Sequence, residues 1–233
     1  MADKGLAPSR ERARALILAA QVTVDGLVIS KAGAQVELDV EVALIVPDHP
    51  YVGRGGLKLA HALDVFQIPV AGRDALDIGA STGGFTDVLL QRGATRVVAL
   101  DVGHGQLDWT LRNDPRVVII EHFNARRLTL ADLPGPVDIV SIDVSFISLR
   151  HILPVVPPLL RPRADVIVLV KPQFEAGRAE VRKGVIRDTA VHARVLAEID
   201  AVAAAVGLTR AATTPSPITG QKGNVEFLLH LRP

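Results

Sequence analysis

The sequence has no cysteine. That excludes disulfides, thiolate metal sites and cysteine nucleophiles, and it suits a reducing cytoplasm. Aromatic residues are only 3% of the 233 residues, with a single Trp and a single Tyr, so a core has to be built from Val, Leu, Ile and Ala. Hydrophobic side chains make up 48% of the chain, enough for one large domain or for a medium and a small one. The formal charge is +1, so no global field announces a nucleic acid, and such a partner must be met by local patches. No apolar run approaches the roughly 20 residues of a membrane span. The N-terminus, M-A-D-K-G-L-A-P-S-R, has no apolar signal core. These absences lead to the expectation of a cytoplasmic protein that binds neither membrane nor metal.

Two common nucleotide signatures are missing too. There is no Walker A loop, which needs Gly-Lys-Ser/Thr at its end, and no G-x-G-x-x-G dinucleotide turn. What stands in their place is V-A-G-R-D-A-L-D-I-G-A-S-T-G-G-F-T-D, from Val70 to Asp87. It reads as a buried strand ending at Asp77 and Ile78, a glycine-rich turn from Gly79 to Gly84, and a helix opening at Phe85. Such a corner presents backbone N–H groups to a nucleotide-like ligand, and its glycines let the chain pass close to it. Ser81 occupies the place where a bare glycine would admit a pyrophosphate. Asp77 before the turn is a poor neighbour for phosphate and a good one for an amino group or a sulfonium. A second strand, A-T-R-V-V-A-L-D, ends at Asp101, where a carboxylate can take both hydroxyls of a ribose. A third, R-V-V-I-I, leads to E-H-F-N, where Phe123 or Asn124 can face an adenine ring. This set fits S-adenosylmethionine better than NAD or ATP. The expected cofactor residues are Asp77, Gly79, Ser81, Gly83, Phe85, Asp101 and Asn124, with Gly79, Ser81 and Gly83 under the methionine part.

The chain divides at Pro47 and Pro50. Residues 1–49 read as a small α+β unit. Ser9 is a plausible N-cap for a helix R-E-R-A-R-A-L-I, and V-T-V-D-G-L-V-I is a hairpin around Asp25-Gly26. V-E-L-D-V-E-V-A-L-I-V alternates like a further strand, with Glu37, Asp39 and Glu41 on one face. Arg10, Arg12 and Arg14 are candidates for phosphate contact, since the guanidinium fork meets phosphate oxygens in pairs. The unit is acidic overall, so only one face is available for that. Residues 51–233 alternate strands and helices. The strands V-D-I-V-S-I-D-V and A-D-V-I-V-L-V-K are continuous apolar runs, as in a parallel sheet buried on both faces. S-F-I-S-L-R-H-I-L-P reads as a helix start, T-P-S-P-I-T-G-Q-K-G as a turn-rich loop, and N-V-E-F-L-L-H-L as the last strand. The loop A-G-R-A-E-V-R-K-G-V-I-R adds Arg178, Arg182, Lys183 and Arg187 as a second basic set. The active edge offers few aromatics for stacking free bases, so a folded RNA surface is the expected partner.

In such a sheet, ligands sit at the carboxyl ends of the strands. Asp143 and Lys171 end neighbouring strands there, and Lys58 and Glu226 can reach the same edge. Two lysines and two carboxylates in one cleft suit methyl transfer from a sulfonium to a hydroxyl. The hydroxyl must lose its proton during attack, and a lysine can take it only when neutral. A nearby ammonium, a sulfonium and burial all favour the neutral form, while carboxylates hold the amines in register. There is no Asn/Asp-Pro-Pro-Tyr/Phe motif of amino-group methylation, so oxygen is the expected acceptor.

Longer motifs carry a resemblance. G-L-A-P-S-R-E-R-A-R-A-L-I, V-x-V-D-G-x-V and Lys31 resemble the RNA-binding fold of small-subunit ribosomal protein four, here shortened at its start. R-G-G-L-K-L, D-I-G-A-S-T-G-G-F-T-D, D-V-G-H-G-Q-L, R-N-D-P-R-V, D-V-S-F-I-S-L, V-K-P-Q-F-E and G-N-V-E-F are similar to the TlyA family over nearly the whole chain. That resemblance implies an α/β, Rossmann-like methyltransferase sheet of the FtsJ type (residues 51–233) behind a small RNA-binding domain (residues 1–49). It implies S-adenosylmethionine as cofactor, ribose 2′-O-methylation of cytidine in ribosomal RNA, and a Lys58–Asp143–Lys171–Glu226 tetrad. Members are often called haemolysins. A lytic protein, an RNA-binding module with a dead core, and a small-molecule O-methyltransferase are the alternatives. The filled tetrad and the basic segments weigh against them.

Overall fold

The computed structural model describes the chain except Ala2, Asp3, Gly5, Pro8, Ser9, Ala19, Leu38, Val46, Pro47, Asp48, Arg178, Ala179, Arg182 and Lys183, and except the side chains of Glu11, Arg12, Ala15 and Gln221. Ser9, expected as an N-cap, therefore lies outside the described residues. The chain forms two compact units, Met1–Pro50 and Tyr51–Pro233.

Among the described residues the first unit has one helix, α1 (Arg10–Leu18), and three short strands, β1 (Val22–Val24), β2 (Leu27–Ile29) and β3 (Val42–Leu44). The strands pair antiparallel in the order β2-β1-β3. Asp25 and Gly26 both have positive φ, 48° and 79°, the backbone a two-residue hairpin needs. Ala13 and Leu16 of α1 pack with Ala7 and Val22 into a small core. The strand expected over V-E-L-D-V-E-V-A-L-I-V is shorter, since only Val42–Leu44 pair. Alternation with acidic residues mimicked a longer strand, but β1 has only three residues to pair with.

The second unit is a seven-stranded sheet with helices on both faces. Its elements are α2 (Gly55–Val65), β4 (Asp74–Ile78), α3 (Gly84–Gln91), β5 (Arg96–Leu100), α4 (Trp109–Arg112), β6 (Val117–Ile120), β7 (Val137–Ile142), β8 (Leu160–Val170), α5 (Pro172–Glu175), α6 (Thr189–Ala205), β9 (Thr209–Pro215) and β10 (Phe227–Arg232). The order is β6-β5-β4-β7-β8-β10-β9. The first five strands in that order are parallel, but β10 runs antiparallel to both β8 and β9, so the sheet is mixed. Two sequence expectations change. Part of the T-P-S-P stretch belongs to β9, an edge strand whose polar residues gave no periodic signal. The helix expected from Ser145 is instead three 3₁₀ turns, Leu149–His151, Leu153–Val155 and Pro157–Leu159, because prolines remove helix donors there.

Strand alternation divides the core. Leu76, Ile78, Val98, Leu100, Val140, Ile142, Val166 and Val168 face one side, where α6 contributes Val195, Ile199 and Ala203. Ala75, Val97, Ala99, Ile139, Ile167 and Leu169 face the other, against Leu59 and Leu63 of α2 and Val88 and Leu89 of α3. Among the described residues no helix is long and apolar enough to cross a membrane.

Asp165, in the N-terminal half of β8, holds the sheet's other end. Its carboxylate accepts from Arg73 at 2.8 Å and Arg232 at 3.1 Å and lies 2.7 Å from His230 Nε2. Burial alone would raise this carboxyl, but the bonds from His230, Arg73 and Arg232 outweigh it and hold the group well below its ordinary value. A depressed carboxyl stabilises the fold above its ordinary value of 3.8, and that contribution is lost as pH falls through the folded value. Asp165→Asn should therefore cost on the order of 3 kcal/mol at pH 7, by removing the carboxylate that Arg73 and the buried His230 share. The gap to the parent protein in denaturant titrations should narrow as pH falls below 4.

Candidate active site

The site is built at the sheet edge where β4, β5, β7 and β8 end and β10 begins, beside the first turn of α2. The turn after β4 begins at Gly79, whose φ is 88°. A Cβ there would overlap the Asp143 carbonyl oxygen, so only glycine lets the β4 and β7 ends lie this close. Asp101 follows β5, Asp143 follows β7 and Lys171 follows β8. Pro172 begins α5 and keeps Lys171 extended, at φ −113° and ψ 97°. Glu226 precedes β10. Because β10 runs antiparallel to β8, with Phe227 opposite Val170, its start meets the end of β8. Lys58 comes from the first turn of α2.

Two adjoining cavities open on this edge. One, of about 450 Å³, is mainly apolar, with Ile78, Leu100, Phe123, Val144 and Ile152 in its wall and Asp101, Asn124 and Gln106 among its polar groups. The other, of about 280 Å³, is lined by Lys58, Asp143, Lys171 and Glu226, together with Arg54, Phe85 and Gln173. Gly79, Ser81, Asp143 and Ser145 border both. Asp101 accepts from the Ser81 N–H at 2.8 Å and the Gly103 N–H at 2.7 Å, which aims the carboxylate and leaves further lone pairs for a ligand.

Two of the expected cofactor residues sit elsewhere. Gly83 has φ 97°, and its open side faces Leu107 and Leu111, so it shapes the turn from behind. Asp77 is fully buried on the α3 side of the sheet and lines neither cavity. It accepts from Thr86 Oγ1 at 2.7 Å and Ser141 Oγ at 2.9 Å. The alternation of β4 decides this, since Ile78 and Asp77 must point to opposite faces.

The four charged residues form two pairs. Lys58 Nζ donates to Glu226 Oε2 at 2.5 Å, with 7% and 3% of these residues exposed. Lys171 Nζ lies 2.5 Å from Asp143 Oδ1, a charge contact outside hydrogen-bond alignment, and donates to Ser145 Oγ at 2.9 Å. Its Nζ also stands 5.9 Å from the Phe174 ring centroid. Glu175, its carboxyl raised by burial against the bonds from Ser148 and Leu149, ties α5 to the Ser145–Leu149 segment.

Several neighbours of the site carry no role in the sequence reading. Phe146, at φ 63° and 86% exposed, stands on the rim with its ring 5.0 Å from that of Phe174. The expectation of an edge poor in aromatics is thereby corrected. With Phe85 and Phe123 also in the cavity walls, four of the chain's eight aromatic residues line this edge, and composition does not say where they gather. Arg54 and Arg126, each in a cavity wall, have no acidic partner among the described residues. The motif D-V-S-F-I-S-L contains Ser145 and Phe146, and V-K-P-Q-F-E contains Gln173 and Phe174, so the signal was present without an assignment. Of the expected RNA contacts, Arg10, Arg14 and Arg187 are exposed. Arg178, Arg182, Lys183 and the Arg12 side chain lie outside the described residues. No cluster that could hold a metal occurs among the described residues.

Burial pushes the Asp77 carboxyl up to about 7, against the bonds from Thr86 and Ser141 and with help from the Asp143 charge. A raised carboxyl stabilises the fold below its ordinary value of 3.8, and that contribution is lost as pH rises through about 7. Asp77→Asn should flatten the decline in melting temperature between pH 5 and 7. An unchanged slope would show that Asp77 is ionised in the folded state throughout.

Comparison with known proteins places the two units in known families. Residues 51–233 match the FtsJ-like methyltransferase family and residues 1–42 match the S4 domain. The chain is 48% identical over 232 residues to the 16S/23S rRNA (cytidine-2'-O)-methyltransferase TlyA of Mycobacterium tuberculosis, covering 98% of this chain and 86% of that one. It is 42% identical to Hemolysin A of Brachyspira hyodysenteriae, over 98% of this chain and 95% of that one. A solved structure from Streptococcus thermophilus, provisionally called a hemolysin, aligns with a TM-score of 0.82 at 43% identity, over 98% of this chain and 85% of that one.

Proposed function

The chain belongs to the FtsJ-like methyltransferase family, with an S4 domain at its N-terminus, and from this premise we propose that it methylates the 2′-hydroxyl of a cytidine ribose in ribosomal RNA, with S-adenosylmethionine as the methyl donor. One observation carries the reading: the Lys58–Glu226 and Asp143–Lys171 pairs converge on a polar cavity that adjoins the cavity over the glycine turn. The 450 Å³ cavity suits a nucleoside, with an apolar wall for a purine and the Asp101 carboxylate for ribose hydroxyls. Gly79 and Ser81 at the shared border suit the amino-acid part. When bound, the cofactor supplies an electrophilic methyl group on a sulfonium sulfur.

The protein's own groups prepare the acceptor. Lys171, in its neutral form, takes the hydroxyl proton during attack, which as general-base catalysis contributes roughly 10²–10⁴ in rate. Asp143 holds the ammonium that results. Lys58, fixed by Glu226, donates to a ribose oxygen and keeps the hydroxyl in line. Phe146 offers a face to a base, and Arg54 and Arg126 offer charge to phosphates at the rim. Residues 1–49 add the phosphate contacts of Arg10, Arg12 and Arg14. The 178–187 segment adds Arg178, Arg182, Lys183 and Arg187.

Radiolabel transfer from S-adenosylmethionine to purified ribosomal subunits tests the reaction, and mapping should find 2′-O-methylcytidine. No label above background, with both subunits and with naked ribosomal RNA, would overturn it. Lys171→Ala should abolish transfer while calorimetry still detects the cofactor. Lys171→Arg should fail as well, because a guanidinium does not give up its proton at neutral pH. An active Arg variant would remove Lys171 as the base. Reversing Arg10 and Arg14 to Glu should raise the Michaelis constant for subunits and leave cofactor affinity unchanged. Unaltered kinetics would remove α1 from the RNA contact.

A further inference from the structure

The Asp143–Lys171 pair divides into a charge and a direction. The Asp143 oxygen is 2.5 Å from Nζ, yet that oxygen makes no aligned hydrogen bond. The aligned bond of Nζ goes to Ser145 Oγ, at 2.9 Å. Coulombic attraction depends weakly on angle, so a carboxylate alone leaves an amine free to rotate and tilt. A hydrogen bond does depend on angle, weakening steeply away from linearity. Ser145 is therefore the group able to set where the remaining positions of the Lys171 nitrogen point.

That direction matters for a base. A neutral amine has two N–H bonds and one lone pair, arranged tetrahedrally. If one N–H is held by Ser145 and another lies toward Asp143, the lone pair is left at the remaining position, and the lysine lines the polar cavity. Among the described residues no other protein acceptor is recorded at Nζ. We propose that Ser145 is a positioning residue for the transfer, its hydroxyl aiming the lone pair of Lys171 at the acceptor hydroxyl. This deepens the reading given above and rests on it. In the step, the acceptor's proton passes to the Lys171 nitrogen, which becomes an ammonium. The freed pair on oxygen forms the new bond to the methyl carbon, and the carbon–sulfur pair stays on sulfur.

Ser145 is itself held in place. The chain from Asp143 to Leu149 is tied at its far end by Glu175, which accepts from the Ser148 hydroxyl at 2.5 Å and the Leu149 N–H at 2.9 Å. Glu175 belongs to α5, which starts directly after Lys171. The serine and the lysine are thus fixed to one another through backbone as well as through their own bond.

The test compares Ser145→Ala with Ser145→Thr. Ala should lower kcat by about 10- to 100-fold, the scale of a misaligned reacting group. The Michaelis constant for subunits should stay within about twofold. Thr, which keeps the hydroxyl, should recover most of the rate. A second readout does not depend on activity. In lysine-selective NMR spectra of the free protein, with the signal assigned by its loss in Lys171→Ala, the Lys171 ammonium should exchange its protons faster in Ser145→Ala and at the parental rate in Ser145→Thr. An Ala variant with parental kcat, or a Thr variant as slow as Ala, would overturn the proposal, as would unchanged proton exchange. If the parent protein methylates no ribosomal RNA, the functional reading fails by itself, and the NMR comparison still decides whether Ser145 holds the lysine.

Discussion

The structure depends on keeping two ammonium groups out of bulk water at one edge of a sheet. Burying a lysine is expensive unless a carboxylate meets it with good geometry. Lys58 and Glu226 are separated by 168 residues, and Lys171 and Asp143 by a strand and its crossover. Each charge is therefore tolerable only once the sheet is assembled. The reversed direction of β10 is what brings Glu226 to the edge. Parallel strands deliver their carboxyl ends there, and a residue placed before a strand can arrive only if that strand runs the other way.

Around this edge the fold separates two environments. One cavity has a wall of aliphatic side chains, fit for a flat apolar group, with the Asp101 carboxylate aimed by two backbone donors. The other is lined by charge. The glycine turn between them keeps them in contact, and Gly79 allows it by leaving out the side chain that would separate β4 from Asp143. Asp77, buried beneath the turn, ties β4 to α3 and β7 through Thr86 and Ser141.

The N-terminal unit follows a different economy. It has a small core and short strands, and its helix presents Arg10 and Arg14 outward. Such a unit gains little from burial and is suited to supply charge on one face. The large unit concentrates buried charge, and Arg54 and Arg126, which have no acidic partner among the described residues, stand in the cavity walls.

The apolar strands of the large sheet, the glycine turn, the division near Pro50 and the types of the four charged residues were legible from local pattern, while the polar edge strand β9 was not. Apolar runs, turn glycines and hairpin dipeptides act through the backbone nearest to them, so sequence alone determined these elements. It also determined which groups were available: no thiol, few aromatics, and lysines and carboxylates near strand ends. Tertiary structure decided which of these groups meet. It turned Asp77 away from the cavities because neighbouring residues of β4 point to opposite faces. It turned Gly83 toward Leu111, made the sheet mixed, and gathered Phe146, Phe174, Ser145 and Gln173 around Lys171. Contacts between distant segments depend on strand order and on the face each side chain takes, and no local pattern encodes those two quantities.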